Sequence, residues 1–413
     1  MGRVIIVGGG LTGILAALQA HRLGAERIEL HERFDQLGGI ALPTRRNGCE
    51  MREGCIYFGP KGDPIRTLLE ANGVDFESFD NRFGSVNGRG PDLTYIDDFG
   101  RPAFAAETID LRSMRGVSLG DRLACYPDEI AFPLARYTRW HLGCDPAIMH
   151  ESAAVPLAIN RVFLSGVDPA AIASAKRSSR LADELLGIPR AMWNYTNNVE
   201  ASLPVGGFTA MLRQCREALK AIGVMLHEQH SIPARQALEE HSVSDVLVWA
   251  ASPMPLFKPL GVPLAKSLPK KFSTYIFEAQ WTGPVPFYVH NFTAAGSCFR
   301  VYIYESAGKV LLTAECVAET STDALAGDIR RMLNGFEGKL KLGDMIHTSV
   351  KPRWIYHTVD TMTRLSSLRA TLRARTGGRF IPGAWEAYAK GDKFSEVSNA
   401  LAVALGAKRL RAA

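Results

Sequence analysis

Several absences narrow what this chain can be. Its 413 residues include only seven cysteines, at positions 49, 55, 125, 144, 215, 298 and 316, and no two stand at C-x-x-C spacing. An odd total without paired spacing argues against a disulfide framework and against a cysteine-based zinc site. A reducing, cytoplasmic setting is the expectation that follows. No apolar run approaches the roughly 18 residues of a membrane-spanning helix. The chain enters a strand-like run by Val4, so no signal peptide is expected. H-E-x-x-H, G-x-S-x-G and P-loop patterns are all missing, which leaves no metal ligand set to assign and sets aside metal-dependent, serine-type and ATP-hydrolysing chemistry. Charge of one sign is not concentrated either: 48 basic against 42 acidic side chains give a net +6, and the bases are scattered. The densest stretch, 364–375, reads RLSSLRATLRAR and has the spacing of a helix with a solvated basic face. Without interleaved aromatics it predicts no nucleic-acid surface. A small-molecule substrate, anionic or not, suits the remaining charge balance.

What is present begins at the first strand. Val4-Ile5-Ile6-Val7 is an apolar run of the kind that forms a buried parallel strand. Gly8, Gly10 and Gly13 then give G-x-G-x-x-G, followed by the Ala/Leu-rich segment 14–23, which reads as a helix ended by Gly24. Ile28-Glu29-Leu30 starts a second strand that delivers Glu32. Gly8 permits the tight turn, Gly10 lets the backbone approach a pyrophosphate, and Gly13 lets helix and strand pack closely. The helix start, with Leu11 and Thr12, offers unpaired N–H groups and partial positive charge. Glu32 stands where a carboxylate accepts both ribose hydroxyls of an adenosine, and its charge disfavours a 2′-phosphate.

After Glu32 the chain reads Arg33-Phe34-Asp35-Gln36-Leu37-Gly38-Gly39. Here the sequence resembles the flavoprotein superfamily that includes amine oxidases, protoporphyrinogen oxidase, phytoene desaturases and UDP-galactopyranose mutase. The resemblance implies FAD as cofactor, with Arg33 against the adenine or a phosphate and Gly38 and Gly39 near the pyrophosphate and ring. A second match is Pro204-Val205-Gly206-Gly207-Phe208-Thr209, followed by a helix at 211–219 and a strand at 224–227. It looks like the segment that returns the chain to the FAD domain in that superfamily. The third lies at the C-terminus: Gly377-Gly378-Arg379-Phe380, then Trp385-Glu386-Ala387-Tyr388, Gly391-Asp392-Lys393-Phe394 and a helix over 395–405. By resemblance it brings Gly378, Arg379 and a helix start near Phe394 to the flavin. Tyr57-Phe58-Gly59-Pro60 is similar to a mutase segment beside the flavin, but Lys61 stands where that family has histidine.

The expected architecture is α/β: a Rossmann-type FAD-binding domain with an inserted substrate domain of helices and a mixed or antiparallel sheet. Its parts are 1–79, 201–270 and 351–413 for the FAD domain, 80–200 for a mainly helical substrate portion and 271–350 for its sheet. Candidate strands at 287–292, 299–304 and 309–315 supply that sheet, the last two as a hairpin. In the superfamily such a sheet floors a chamber facing the flavin, which singles out Arg300, Tyr302 and Tyr304, with Lys61 and Trp385 beside them. Arg300 could clamp an anion, and the tyrosines, which share a strand face, could sandwich a planar group. Plainer readings stay open at this level: a solvated strand charge, core packing, a loop charge, a packed aromatic. His290 reads as a structural strand histidine rather than a base. The implied activity is an FAD-dependent oxidoreductase that takes a hydride from an amine, alcohol or C–C unit to flavin N5. The alternative is a mutase-like, non-redox flavoenzyme acting on a nucleotide sugar. Whether the chain forms a homodimer is left open.

Overall fold

The computed structural model describes residues 2–54, 56–96, 101–103, 116–159, 162–164, 168–187, 200–239, 244–264 and 268–406. Two sheets organise it. The first has five strands in the order Met225–His227, Ile28–His31, Val4–Val7, Val246–Trp249 and Phe380–Pro382, all parallel. Its central strands are apolar on both faces because both are covered. Val4 and Ile6 pack with helices Leu11–Arg22, Pro64–Glu70, Gly207–Ala221 and Lys390–Ala404. Ile5 and Val7 turn the other way, toward Ala234–Glu239, Met254–Phe257 and Val359–Thr376. This is a Rossmann-type core.

The second sheet has seven strands, ordered Leu340–Tyr356, Leu268–Trp281, Lys309–Cys316, Cys298–Ser306, Phe287–Asn291, Arg82–Arg89 and Asp92–Ile96. Its pairings are antiparallel except that of Phe287–Asn291 with Arg82–Arg89, so the sheet is mixed. Val301, Ile303 and Leu312 face helix Thr322–Leu333 on one side. Phe272, Phe292 and Phe299 meet the helical portion, chiefly Leu119–Leu123, Asp128–Leu142, Pro169–Ser178 and Arg180–Leu185. Tyr302 and Tyr304 form a smaller cluster with Cys49 and Met51.

The hairpin 298–316 and the strand at 246–249 form as expected. Three boundaries differ. Arg82–Arg89 and Asp92–Ile96 are sheet strands, not part of the helical portion, because glycines at 84, 88 and 90 mask their alternation. The long edge strand runs to Tyr356, six residues past the expected limit of the sheet. The closing helix starts at Lys390 rather than Ser395, since Gly391 falls in its exposed first turn and does not stop it. Among the described residues no helix is long and apolar enough to cross a membrane, and the six described cysteines form no disulfide.

Candidate cofactor cradle and active site

The first strand brings Gly8 to the carboxyl end of the parallel sheet, where its φ of +105° makes the turn. A Cβ on Gly13 would lie 1.9 Å from the Gly8 carbonyl oxygen, so this contact between strand and helix tolerates only glycine. Gly10 is the N-cap of Leu11–Arg22, without a side-chain cap and without an acid in the first turn. The N–H groups of Leu11, Thr12 and Gly13 therefore lack intrahelical acceptors and present the positive end of the helix dipole. Beyond Gly10 there is room: a Cβ there would have its nearest neighbour 3.9 Å away.

Glu32 is buried beside this loop. Its Oε2 accepts the Gly9 N–H at 2.7 Å and its Oε1 accepts that of Phe34 at 2.9 Å. Two charge-assisted bonds fix the carboxylate and leave each oxygen a lone pair for a hydroxyl. The second glycine pair closes the cradle. Gly38 donates to the Gly9 carbonyl at 2.8 Å, and a Cβ on Gly39 would sit 3.2 Å from Gly10 Cα. The two loops thus lie backbone to backbone, and the adjacent Ile40 is 89% exposed. Arg33 is exposed, with its guanidinium 4.5 Å over the Phe34 ring.

The C-terminal candidates lie elsewhere. Gly378 and Arg379 precede the fifth strand, at the amino end of the parallel sheet, where Arg379 donates to the Ser244 carbonyl at 3.2 Å. Gly8 is at the carboxyl end, and the intervening strand spans roughly 10 Å. Phe394 packs into the Rossmann core rather than marking a helix start. Because the fifth strand is parallel, the residues after it reach the cradle end instead. A Cβ on Gly383 would come 2.8 Å from the Trp249 carbonyl, and one on Gly8 2.9 Å from the Ala251 N–H. The closing helix then begins on the same side, after Ala389, also without a side-chain cap.

That helix start carries two lysines. Lys390 donates to the Tyr57 carbonyl and lies 4.8 Å from the centre of the Phe58 ring. Burial pushes the Lys393 amine below its usual pKa, and no ion pair offsets this among the described residues. His357 shares a hydrogen bond between Nε2 and the Trp385 carbonyl at 3.0 Å; burial, against that bond, pushes it down to about 4. The Trp385 indole N–H donates to the Ala251 carbonyl at 3.1 Å, so this buried ring is packed into the carboxyl end of the sheet.

Between cradle and second sheet runs Cys49–Met51 with the residue after it. Glu50 caps helix Gly207–Ala221, accepting the N–H of Phe208 at 3.0 Å and of Thr209 at 2.7 Å. The Arg52 N–H donates to Tyr304 Oη at 2.9 Å, and its Nη1 to Tyr302 Oη at 3.4 Å. Burial lowers the Arg52 pKa most, but Tyr302, Glu50 and Tyr304 together outweigh it and raise the net value. Tyr302 and Tyr304 stack at 4.9 Å, with Tyr57 edge-on to Tyr302 at 5.9 Å. Both stacked tyrosines are fully buried, so their hydroxyls support Arg52 and the Glu50 carbonyl.

Arg300 shares their strand face but is ion-paired to the buried Glu315. Its guanidinium also lies 5.8 Å from the Tyr288 and Phe299 rings. Lys61 is exposed, its backbone N–H on Glu200 at 3.1 Å, and the structure does not join it to this group. His290 belongs to a buried relay where the mixed sheet meets the helical portion, in which Tyr137 Oη lies 2.6 Å from His290 Nε2 and 3.3 Å from His141 Nδ1. His141 Nε2 is in turn 3.0 Å from Tyr356 Oη. Glu50, Arg52, Lys390 and Lys393 went unread in the sequence. The lysines lie inside a segment already singled out, whereas Glu50 and Arg52 carry no motif.

These features define a class by architecture: a Rossmann-type dinucleotide-binding domain with an inserted domain of helices and a mixed sheet. No protein-family model and no curated protein matches the sequence. Solved structures do match the fold. It is similar to reduced UDP-galactopyranose mutase, with a TM-score of 0.65 at 13% identity over 98% of this chain and 96% of that one. A redesigned putrescine oxidase follows at 0.59 and 15%, covering 98% and 99%. A fatty acid isomerase from P. acnes gives 0.50 and 13%, covering 97% and 98%. Likeness at such identities is one of fold.

Proposed function

We propose that this chain is an FAD-dependent oxidoreductase of the amine oxidase-like superfamily, removing a hydride from an amine, alcohol or C–C unit of a small polar substrate. The observation that carries this reading is the cradle itself. Three glycines, the buried Glu32 and the Gly38–Gly39 backbone meet at the carboxyl end of the parallel sheet, where Leu11–Arg22 and Lys390–Ala404 begin without side-chain caps. These residues fit the cofactor: Leu11, Thr12 and Gly39 would hold its pyrophosphate and Glu32 its ribose hydroxyls. Bound FAD supplies the hydride acceptor.

The chain supplies the rest. Arg52 is a fixed cation, oriented by Tyr302 and Tyr304 and suited to an anionic part of the substrate. Lys393, with its lowered pKa, is the candidate group for holding or taking a proton at Nζ when an N–H or O–H substrate is oxidised. Packing between the sheet and the Rossmann core shields the Arg52 side chain, and Lys393 is half-buried at the start of its helix. A second reading, mutase-like isomerisation of a nucleotide sugar, is favoured by Tyr57-Phe58-Gly59-Pro60, which lies against Tyr302 and Lys390. The exposed Lys61 in place of histidine counts against it.

Anaerobic absorbance spectra test both readings. The purified chain should be yellow, and an amine or hydroxy acid from a panel should bleach it. Conversion of a nucleotide sugar by the dithionite-reduced form alone, with no net redox change, would select the mutase reading. A chain that copurifies with no flavin and takes none up would overturn both.

A further inference from the structure

On the face of the parallel sheet opposite Leu11–Arg22, beside the strand end that carries Glu32, a group of histidines has no role in the reading above. Ile28 and Leu30 pack into the core under Leu11–Arg22, so alternation turns Glu29 and His31 to the other face. His227 ends the neighbouring parallel strand and is the register partner of His31, and the two rings stack at 4.4 Å. His230 follows in a turn that Gln229 makes at φ +55° and that His230 N–H fixes on the Glu32 carbonyl at 2.8 Å. This places His230 Nδ1 3.0 Å from His31 Nδ1.

We propose that Glu29, His31 and His227 form a binding site for a divalent transition metal of the zinc class, with His230 at its rim. One oxygen or nitrogen from each of the three lies within 4.8 Å of the others. Around a tetrahedral zinc with bonds near 2.0 Å such atoms stand roughly 3.3 Å apart, so loading draws them inward by about 1.5 Å. His227, only partly buried on an edge strand, is the member able to move. Imidazoles with one carboxylate suit zinc, cobalt or nickel rather than calcium or magnesium.

The surroundings orient the carboxylate without consuming it. Glu29 Oε1 takes Arg3 at 3.5 Å and Arg27 at 3.3 Å, which leaves Oε2 toward His31 Nε2 at 3.8 Å. Asp245 shares Arg3 at 3.1 Å and offsets part of that positive charge. Such a second layer is what holds ligands in place at metal sites. Because its ligands come from two strands far apart in the chain, the site has no sequence motif. A bound metal would clamp the edge strand Met225–His227 to Ile28–His31. The His227 carbonyl accepts the Glu32 N–H at 2.9 Å, so the site adjoins the cradle, but its metal binding does not depend on flavin.

The test is zinc titration of the full chain by calorimetry after chelator treatment, with a thermal melt as second readout. One zinc per chain and a raised melting temperature are expected. His227→Ala, at a partly exposed position, should weaken binding at least about tenfold, as loss of even an outer-layer partner does, and should abolish the thermal shift. Its melt without zinc and its flavin content show whether the variant is folded. Absence of stoichiometric zinc binding, or unchanged binding in folded His227→Ala, would overturn the site.

Discussion

Within the first forty residues, strand, turn, helix and second strand follow in order, and Glu32 reaches Gly9 across only 23 positions. The region around Arg52 is built the other way, from contacts to Tyr302 and Tyr304 across 250 and 252 positions. The cradle works through backbone atoms, so its requirements fall on glycine and on a few N–H groups. The Arg52 group works through side chains that packing holds in place. Damage to the first should remove the cofactor, whereas damage to the second should cost stability or rate while the cofactor stays.

The strongest way to break this contrast is Gly13→Val. The new Cβ meets a backbone oxygen at 1.9 Å, and neither the strand nor the helix can give way. Flavin retention should fall by roughly 100-fold, a cost of about 3 kcal/mol, with the helical circular dichroism preserved. A flavin-to-protein absorbance ratio equal to that of the parent would refute the cradle reading.

Acid should load the fold at its buried histidines, most at His141. Burial, aided by Lys270 and Arg300, pushes His141 down to about 3; burial with His227 and His230 pushes His31 to about 4, where His357 also lies. All three are neutral in the fold, while in the unfolded chain they take up protons near pH 6.5. Their contribution is complete above pH 6.5 and is lost as pH falls toward 4, continuing toward 3 for His141. His141 alone accounts for on the order of 5 kcal/mol across that window. Urea midpoints measured from pH 7 to 4 should fall steeply, and His141→Phe should flatten the slope. An unchanged slope in that variant would take His141 out of the account.

Legibility follows the same division. Strand, glycine loop and Glu32 could be read because each residue's role depends on near neighbours and on fixed backbone geometry. The seven-stranded sheet was legible where hydrophobic alternation is strong, at 298–316, and hidden where glycines interrupt it, at 82–96. Arg300 drew attention by position, yet its charge is taken by Glu315, a pairing set by strand register that no local pattern announces. Arg52 escaped notice for the same reason. The C-terminal glycines at 377 and 378 stand one strand too early for the cradle end: a turn before a parallel strand and a turn after it look alike in sequence, and only the strand's direction decides which end of the sheet each reaches.

Tyr304→Phe sharpens the contrast from the side of the Arg52 group. The hydroxyl accepts the buried Arg52 N–H and donates to the Glu50 carbonyl at 3.2 Å. Removing it leaves both backbone groups unpaired, which costs about 1–3 kcal/mol. The urea midpoint should drop accordingly while the flavin-to-protein ratio holds. Loss of flavin in this variant would mean that the two regions are one cooperative site.

The smallest expected effect discriminates best at the C-terminus. Arg379 lies at the amino end of the parallel sheet, where among the described residues its side chain has only the exposed hydrogen bond to Ser244 to lose. Arg379→Ala should therefore leave flavin affinity within about twofold of the parent and stability within about 0.5 kcal/mol, as for an ordinary surface position. Titrating FAD into flavin-stripped protein and following flavin fluorescence gives the affinity directly. A tenfold weakening, or about 1.4 kcal/mol, would mean that Arg379 reaches the cofactor after all, which the parallel course of Phe380–Pro382 does not allow. Unchanged affinity would assign the cofactor end to Gly383 and the start of the closing helix, where Lys390 and Lys393 stand.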